Sequence, residues 1–133
     1  MDKQFELLMY KSANENIFVN ALIRDDTIWL NQKAMAELFG CSTDNISSHL
    51  KNIFADDELD EMLTTEEFSI VQPEGNRQVK RKNKFYNLDA IISVGYRVNS
   101  RRATHFRIWA TGILKEYMIK GFAMDDERQN SLR

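Results

Sequence analysis

This sequence of 133 residues has little cysteine, little histidine and no long apolar run, and each shortage excludes a class of protein. Its one cysteine, Cys41, excludes an intrachain disulfide, falls short of a thiolate zinc site and fits a reducing compartment. The two histidines, His49 and His105, lie far apart and outside any metal-ligand or nucleophile spacing. We therefore expect no enzyme activity, no catalytic residue, no metal and no cofactor in this domain.

The absence of long apolar segments also bears on location. No stretch approaches the ~18 apolar residues of a membrane-spanning helix, so no membrane association is predicted. The first residues, MDKQFELLMYKSANEN, lack a long apolar region after a basic leader, so we expect no signal peptide and a cytoplasmic protein. The length indicates a single domain, residues 1–122, followed at 123–133 by a polar tail or a linker to a further C-terminal region.

The charge of the chain is distributed unevenly, although its net charge is only −2. Residues 1–72 carry a net charge of −9, whereas residues 73–121 carry +8. A chain polarised in this way can present a basic face to an anionic partner despite an acidic isoelectric point. The alternative is that the two halves neutralise each other within the fold.

Two helices joined by a short glycine turn are predicted in the first half. Asn31 is a good N-cap for a helix over residues 32–39, and Gly40 is placed to end that helix in the left-handed conformation. Ser42 can cap a second helix over residues 43–54.

The spacing of Ala36, Gly40 and Ile46 is that of a helix-turn-helix. The alanine lets the helices approach, the glycine makes the turn, and the isoleucine packs the second helix on the first. Hydroxyl and amide groups on the outer face of the second helix can hydrogen-bond base edges or phosphates. We predict that the residues facing DNA bases are Thr43, Asn45, Ser47, Ser48 and Lys51. A plain corner between two packed helices is the alternative interpretation.

Extended segments flank this helix pair on both sides. The returning arm of the second hairpin, RQVKRKNKFY, carries five cations and no acid. Such a hairpin beside a helix-turn-helix can act as a wing on the phosphate backbone, or it can be an edge strand that its lysines protect from aggregation. The predicted segments are a strand at Phe5–Tyr10, a hairpin of Ile17–Ile23 with Thr27–Leu30, and a hairpin of Phe68–Val71 with Arg77–Tyr86 around a turn at Gln72–Asn76.

The last part of the chain predicts two further helices, the second of them long and amphipathic. Asn87 caps the first, and Gly121 is placed to end the second. A helical spacing of three and four predicts a buried stripe of Phe106, Trp109, Ala110, Ile113, Leu114, Tyr117 and Met118. Together with the basic hairpin, the junction between these helices supplies the predicted phosphate-binding residues, which are Arg77, Lys80, Arg81, Lys82, Lys84, Arg97, Arg101 and Arg102.

These elements predict an α+β fold, with a helix-turn-helix flanked by two β-hairpins in a winged-helix-like arrangement and a long C-terminal amphipathic helix.

Several long segments of this sequence resemble the virulence-associated RhuM family. They are TIWLNQKAMAELFG, KFYNLDAIISVGYRVNSRRATHFRIWA and LKEYMIKGFAMDDER, and the resemblance extends over nearly the whole chain. The layout is more loosely similar to the Bro-N and KilA-N domains of phage antirepressors and large DNA viruses, in which an FRxW element recurs, and residues 106–109 (FRIW) match that element. The resemblance implies DNA binding by a domain that forms the N-terminal part of a longer protein.

The function predicted from these features is that of a DNA-binding domain of a prophage-type or mobile-element regulator. The alternative is a protein-interaction, antirepressor-like module without direct DNA binding, with exposed aromatic residues such as Tyr96 or Tyr117 as its anchors. Two-fold dimers are common among helix-turn-helix proteins, so a homodimer is also left open.

Overall fold

The computed structural model describes the backbone of residues 6–12 and 16–130, and the side chains of these residues except 6, 72 and 120–130. Within this part of the chain lie a three-stranded and a two-stranded antiparallel sheet and five helices. The α+β class predicted from the sequence is therefore confirmed. In chain order the elements are β1 (Glu6–Lys11), β2 (Phe18–Arg24), β3 (Thr27–Trp29), α1 (Gln32–Phe39), α2 (Thr43–Ala55), α3 (Glu61–Thr64), β4 (Thr65–Glu74), β5 (Arg77–Tyr86), α4 (Leu88–Val98) and α5 (Ser100–Asn130).

The first sheet has the strand order β1-β2-β3. The predicted hairpin of β2 and β3 is confirmed, but β1 pairs with β2 along its length and makes the unit three-stranded. Asp25 and Asp26, with φ of 55° and 61°, form the tight turn, since aspartate tolerates the left-handed conformation that such turns require. Phe5, the first residue of the strand predicted from the sequence, lies outside the described residues.

Both helices of the pair begin where their capping signals predict, and α1 ends just before Gly40 as predicted, whereas α2 runs to Ala55, one residue past its predicted end. The side chain of Asn31 accepts a hydrogen bond from the backbone N of Ala34 at 2.8 Å, and that of Ser42 accepts one from Asn45 at 3.0 Å. Gly40 has φ 73°, and its N–H donates to the carbonyl of Ala36. These caps satisfy backbone groups that the helix ends leave without intrahelical partners, and so they fix the start of each helix and the end of α1.

Replacing Gly40 by alanine should lower the free energy of unfolding by about 1–2 kcal/mol, because an L-residue with a Cβ is strained at this φ. A Cβ there would also lie 2.6 Å from Nη1 of Arg102, although that flexible group can move aside. Gly40→Asn meets the same neighbour but tolerates the left-handed conformation. Urea unfolding of both variants separates the effects, and equal losses would exclude backbone strain as the cause.

The second hairpin is longer than its sequence signals predict. β4 begins at Thr65, three residues before the predicted start at Phe68, and continues through Pro73 and Glu74. The turn therefore contains only Gly75, with φ 62°, and Asn76, rather than all of residues 72–76. Proline can stay in β4 because each strand of a two-stranded ribbon has one unpaired edge.

Backbone hydrogen bonds and apolar packing both attach this hairpin to the rest of the molecule. Leu30, just after β3, forms a two-way backbone bridge with Tyr86, with N···O distances of 3.0 and 2.8 Å. A small apolar cluster of Leu22, Trp29, Phe68 and Phe85 joins one face of the hairpin to the outer face of the first sheet. The outer part of the hairpin is exposed on both faces and therefore extends away from the core.

The main core is formed by residues from both halves of the chain. It joins the inner face of the first sheet to α1, α2, α4 and the first part of α5, and its largest fully buried side chains include Phe39, Phe106, Ile91 and Met35. Gly95 in α4 lies where this packing is closest, because a Cβ there would be 2.6 Å from Cζ of Phe39.

The long helix α5 follows the predicted stripe only over its first half. Ala103, Phe106 and Ala110 are fully buried, but Tyr117 and Met118 are 41% and 57% exposed, so the prediction that they belong to the buried stripe is wrong. The core ends before this part of the helix. The backbone also remains helical past Gly121, the residue predicted to end it.

Among the described residues, no helix is both long and apolar enough to cross a lipid bilayer.

Candidate nucleic-acid interface

The register of the β4–β5 hairpin sorts its cations onto two faces. Successive side chains of a strand point to opposite sides, so Lys80, Lys82 and Lys84 share one face while Arg77 and Arg81 share the other. Alternate residues on a strand are roughly 7 Å apart, a spacing comparable to that of successive phosphates along a nucleic-acid strand. The first face, called the lysine face below, is therefore a regular row of three exposed cations.

Several of the predicted cations have carboxylate partners within the protein. Arg81 donates from Nε and Nη2 to the two carboxylate oxygens of Glu74, at 2.9 and 2.8 Å. These hydrogen bonds lower the pKa of Glu74 and raise that of Arg81. On the lysine face, Nζ of Lys84 lies 2.7 Å from Oε2 of Glu61, and this hydrogen bond raises the pKa of Lys84.

The other cations of the hairpin are less engaged. Lys82 has only a long contact of 3.9 Å with Glu67. In the described part of the chain, no carboxylate lies within 4 Å of the side-chain nitrogens of Arg77 or Lys80. Because exposed ion pairs contribute only about 0–1 kcal/mol, phosphate groups can compete for the paired cations as well.

The cations at the α4–α5 junction do not form one open patch. Nη2 of Arg97 lies 2.6 Å from Glu58, and Nε of Arg107 donates to the hydroxyl of Tyr96 at 3.3 Å. Hydrogen bonds to Thr104 and Arg107 lower the pKa of Tyr96.

The two arginines at the start of α5 differ in their surroundings. Arg101 is exposed, whereas Arg102 is half-buried against the turn between α1 and α2. Nη1 of Arg102 donates to the carbonyl of Leu38 at 3.4 Å, at the C-terminal end of α1, where a cation is electrostatically favoured. The structure thus brings Arg102 to the helix pair and gives it a stabilising contact there.

The outer face of α2 is polar and exposed, as the predicted base-facing residues require. Its inner face packs through Ile46, Leu50 and Ile53. Leu50 is buried in the core, whereas the neighbouring His49 is only half-buried. Of the five predicted residues, four are exposed and Ser47 is half-buried. The exposed ones are Thr43, Asn45, Ser48 and Lys51.

An apolar surface on the outer side of the first sheet was missed by sequence reasoning. Leu7, Met9 and Phe18 are at least half exposed there, and Leu7 and Phe18 border a groove of about 650 Å³ together with Ile70 and Val71 of the hairpin. The signal in the sequence was that β1 and β2 carry apolar residues at both odd and even positions. A strand with one solvent-exposed face alternates apolar and polar residues more strictly.

Within the residues that the structure describes, no three histidine, cysteine or acidic side chains are grouped so that they could hold a metal ion. Cys41 is half-buried beside the helix turn, and this burial raises the pKa of its thiol.

Comparison with known proteins gives a family but no relative of known structure. No curated protein and no solved structure matches the chain. The model of the virulence protein RhuM family matches residues 63–133, which contain the whole β4–β5 hairpin, α4, α5 and all the predicted phosphate-binding residues. The match covers more than half of the sequence, and the chain therefore belongs to the RhuM family of virulence proteins.

Proposed function

We propose that this chain is a DNA-binding domain, of the kind found in prophage or mobile-element regulators, and that the lysine face lies along the phosphate backbone. The observation that carries the proposal is the row of Lys80, Lys82 and Lys84 on one face of a hairpin that extends from the core. A row of cations at this spacing suits a polyanion of regular repeat better than it suits a compact protein surface.

The helix pair supports the same proposal. α1, Gly40 and α2 have the helix–turn–helix order, and α2 offers hydroxyl, amide and ammonium groups on an exposed face. Groups of these types can read base edges in a major groove. In this proposal α2 enters the groove, and the hairpin acts as a wing that fixes its register by phosphate contacts.

Titration of a labelled random duplex with the chain, followed by fluorescence anisotropy at several salt concentrations, tests the proposal. Each phosphate contact contributes about 0.9 to the negative slope of log K against log salt. We expect a slope of roughly −3 to −5 from the lysine face and its neighbours. Failure to bind even at low salt would exclude DNA as the partner.

Replacing Glu61 by glutamine should strengthen duplex binding by several-fold. The change removes the carboxylate that holds Lys84 at 2.7 Å, and so it frees one cation of the lysine face. Because any lost acid reduces repulsion of DNA, the matched control is Glu37→Gln on α1, which changes the same charge at an exposed site. Titrations at equal salt compare the two, and an equal gain in both would mean that the Lys84–Glu61 pair does not limit binding.

A second candidate function is supported by the apolar groove on the outer face of the first sheet. Exposed apolar side chains at Leu7, Met9 and Phe18 are typical of a protein-binding surface. A protein-interaction, antirepressor-like role is therefore the alternative. Phe18→Ser should abolish partner capture under this alternative and leave duplex binding intact, whereas the DNA proposal expects the lysine face to be the sensitive surface.

A further inference from the structure

The side of α5 that faces away from the core carries a second apolar stripe. Ile108 and Ile119 are 58% and 63% exposed, although each is a large β-branched side chain. At about 100° per residue, Ile108, Gly112, Lys115 and Ile119 lie on one side of the helix. That side is opposite to Phe106 and Ala110, which the core buries.

Gly112 has no role in the packing of its own chain. A Cβ at this residue would meet nothing within 4 Å, in contrast to Gly95 of α4, where a Cβ would meet Phe39 at 2.6 Å. Glycine in the exposed interior of a helix destabilises it relative to alanine. Its presence between two exposed isoleucines is explained if another backbone or a long side chain passes close to it.

The stripe is complementary to itself in one orientation. Its spacing of four, three and four residues is that of alternating a and d positions in a coiled coil. When a second α5 runs antiparallel, with a two-fold axis between residues 113 and 114, Ile108 of each copy faces Ile119 of the other. Gly112 then faces Lys115, and every contact occurs twice, as a closed two-fold interface requires.

The charge at the centre of this arrangement is also accommodated. The aliphatic stem of Lys115 can cross the open surface at Gly112 while its ammonium group remains in water. Glu116, one turn beyond Gly112 on the flank of the same face, offers a carboxylate to the ammonium of the second copy.

We propose that two copies of this chain associate through the outer faces of α5 in this antiparallel register. The contact between residues 108 and 119 extends only about 16 Å along the helix. A contact of this length buries less surface area than the interface of a stable obligate dimer. Reversible association in the micromolar range is therefore expected. The proposal does not depend on DNA binding, and its tests contain no nucleic acid.

Sedimentation equilibrium of the 133-residue chain between about 1 and 200 µM tests the surface. Ile108→Lys should raise the dissociation constant of the dimer by at least about tenfold, because it buries a second cation against the stripe. Leu63→Lys, at a side chain 77% exposed on α3, is the matched control and should leave association unchanged. A chain that stays monomeric throughout, or a dimer equally insensitive to both changes, overturns the proposal.

Disulfide trapping tests the register. In a Cys41→Ser background, the variant with both Ile108→Cys and Ile119→Cys should form a covalent dimer on mild oxidation, since the two new thiols of different copies face each other. Within one helix the same positions are about 16 Å apart, beyond the reach of a disulfide. Each single variant should remain uncrosslinked. Efficient crosslinking of either single variant would indicate a parallel pair and overturn the antiparallel register.

Discussion

Replacing Lys80, Lys82 and Lys84 together by alanine should weaken duplex binding by on the order of 10²–10³-fold at about 0.1 M salt. The three ammonium groups occupy one face of β5 at a regular spacing, and each phosphate contact is worth about tenfold at that salt concentration. The slope of log K against log salt should also fall by roughly 2–3. Anisotropy titrations of the variant and the unmodified chain at matched salt series measure both quantities.

A matched pair of double variants separates the lysine face from the charge of the hairpin as a whole. Lys80→Ala with Lys82→Ala and Arg77→Ala with Arg81→Ala each remove two cations from the same strand, but from opposite faces. Arg81 is already held by Glu74 through two hydrogen bonds, so its loss should matter less. Equal losses of affinity in both double variants would mean that the hairpin acts through its overall positive charge. No loss of affinity in either would refute its role as a wing.

Replacing Gly95 by alanine should lower the free energy of unfolding by about 2 kcal/mol, or the melting temperature by roughly 8 °C. A Cβ would lie 2.6 Å from Cζ of Phe39 and 2.7 Å from Cβ of Ala103, both buried where α1, α4 and α5 meet. Overpacking of this kind exceeds the gain in helix propensity that alanine brings.

Gly112→Ala is the matched control, because it makes the same chemical change in a helix where a Cβ meets nothing. It should raise the free energy of unfolding by about 0.5–1 kcal/mol. Thermal unfolding at low protein concentration, where association does not contribute, measures both variants. Stabilisation by both changes would contradict the close packing of α4 on α1 and α5.

Local signals in the sequence predicted most of the helices and their ends. Asn31, Ser42 and Asn87 cap the predicted helices, and Gly40 adopts the left-handed conformation expected of it. These features depend on a few neighbouring residues, whose hydrogen bonds are decided within a single turn of the chain. For that reason they could be inferred without knowledge of the fold.

Features that depend on distant residues were not predicted. The ion pairs of Lys84 with Glu61 and of Arg97 with Glu58 join residues 23 and 39 positions apart, and they engage cations that the sequence suggested were available. The exposure of Tyr117 has the same origin, because helical periodicity shows which residues share a face but not how far the core extends along it. The predicted base and phosphate contacts themselves stay predictions.

The two-way bridge between Leu30 and Tyr86, together with the core around it, limits which fragments of the chain can fold by themselves. The segment that matches the family, residues 63–133, supplies Ile91, Val94 and Phe106 to a core whose other side comes from residues 10–53. Neither segment can bury its apolar surface alone, and contacts between them close long loops at an entropic cost. A fragment that begins at residue 63 is therefore not an autonomous folding unit, and during synthesis the first sheet and helix pair must wait for α4 and α5 before the core can close.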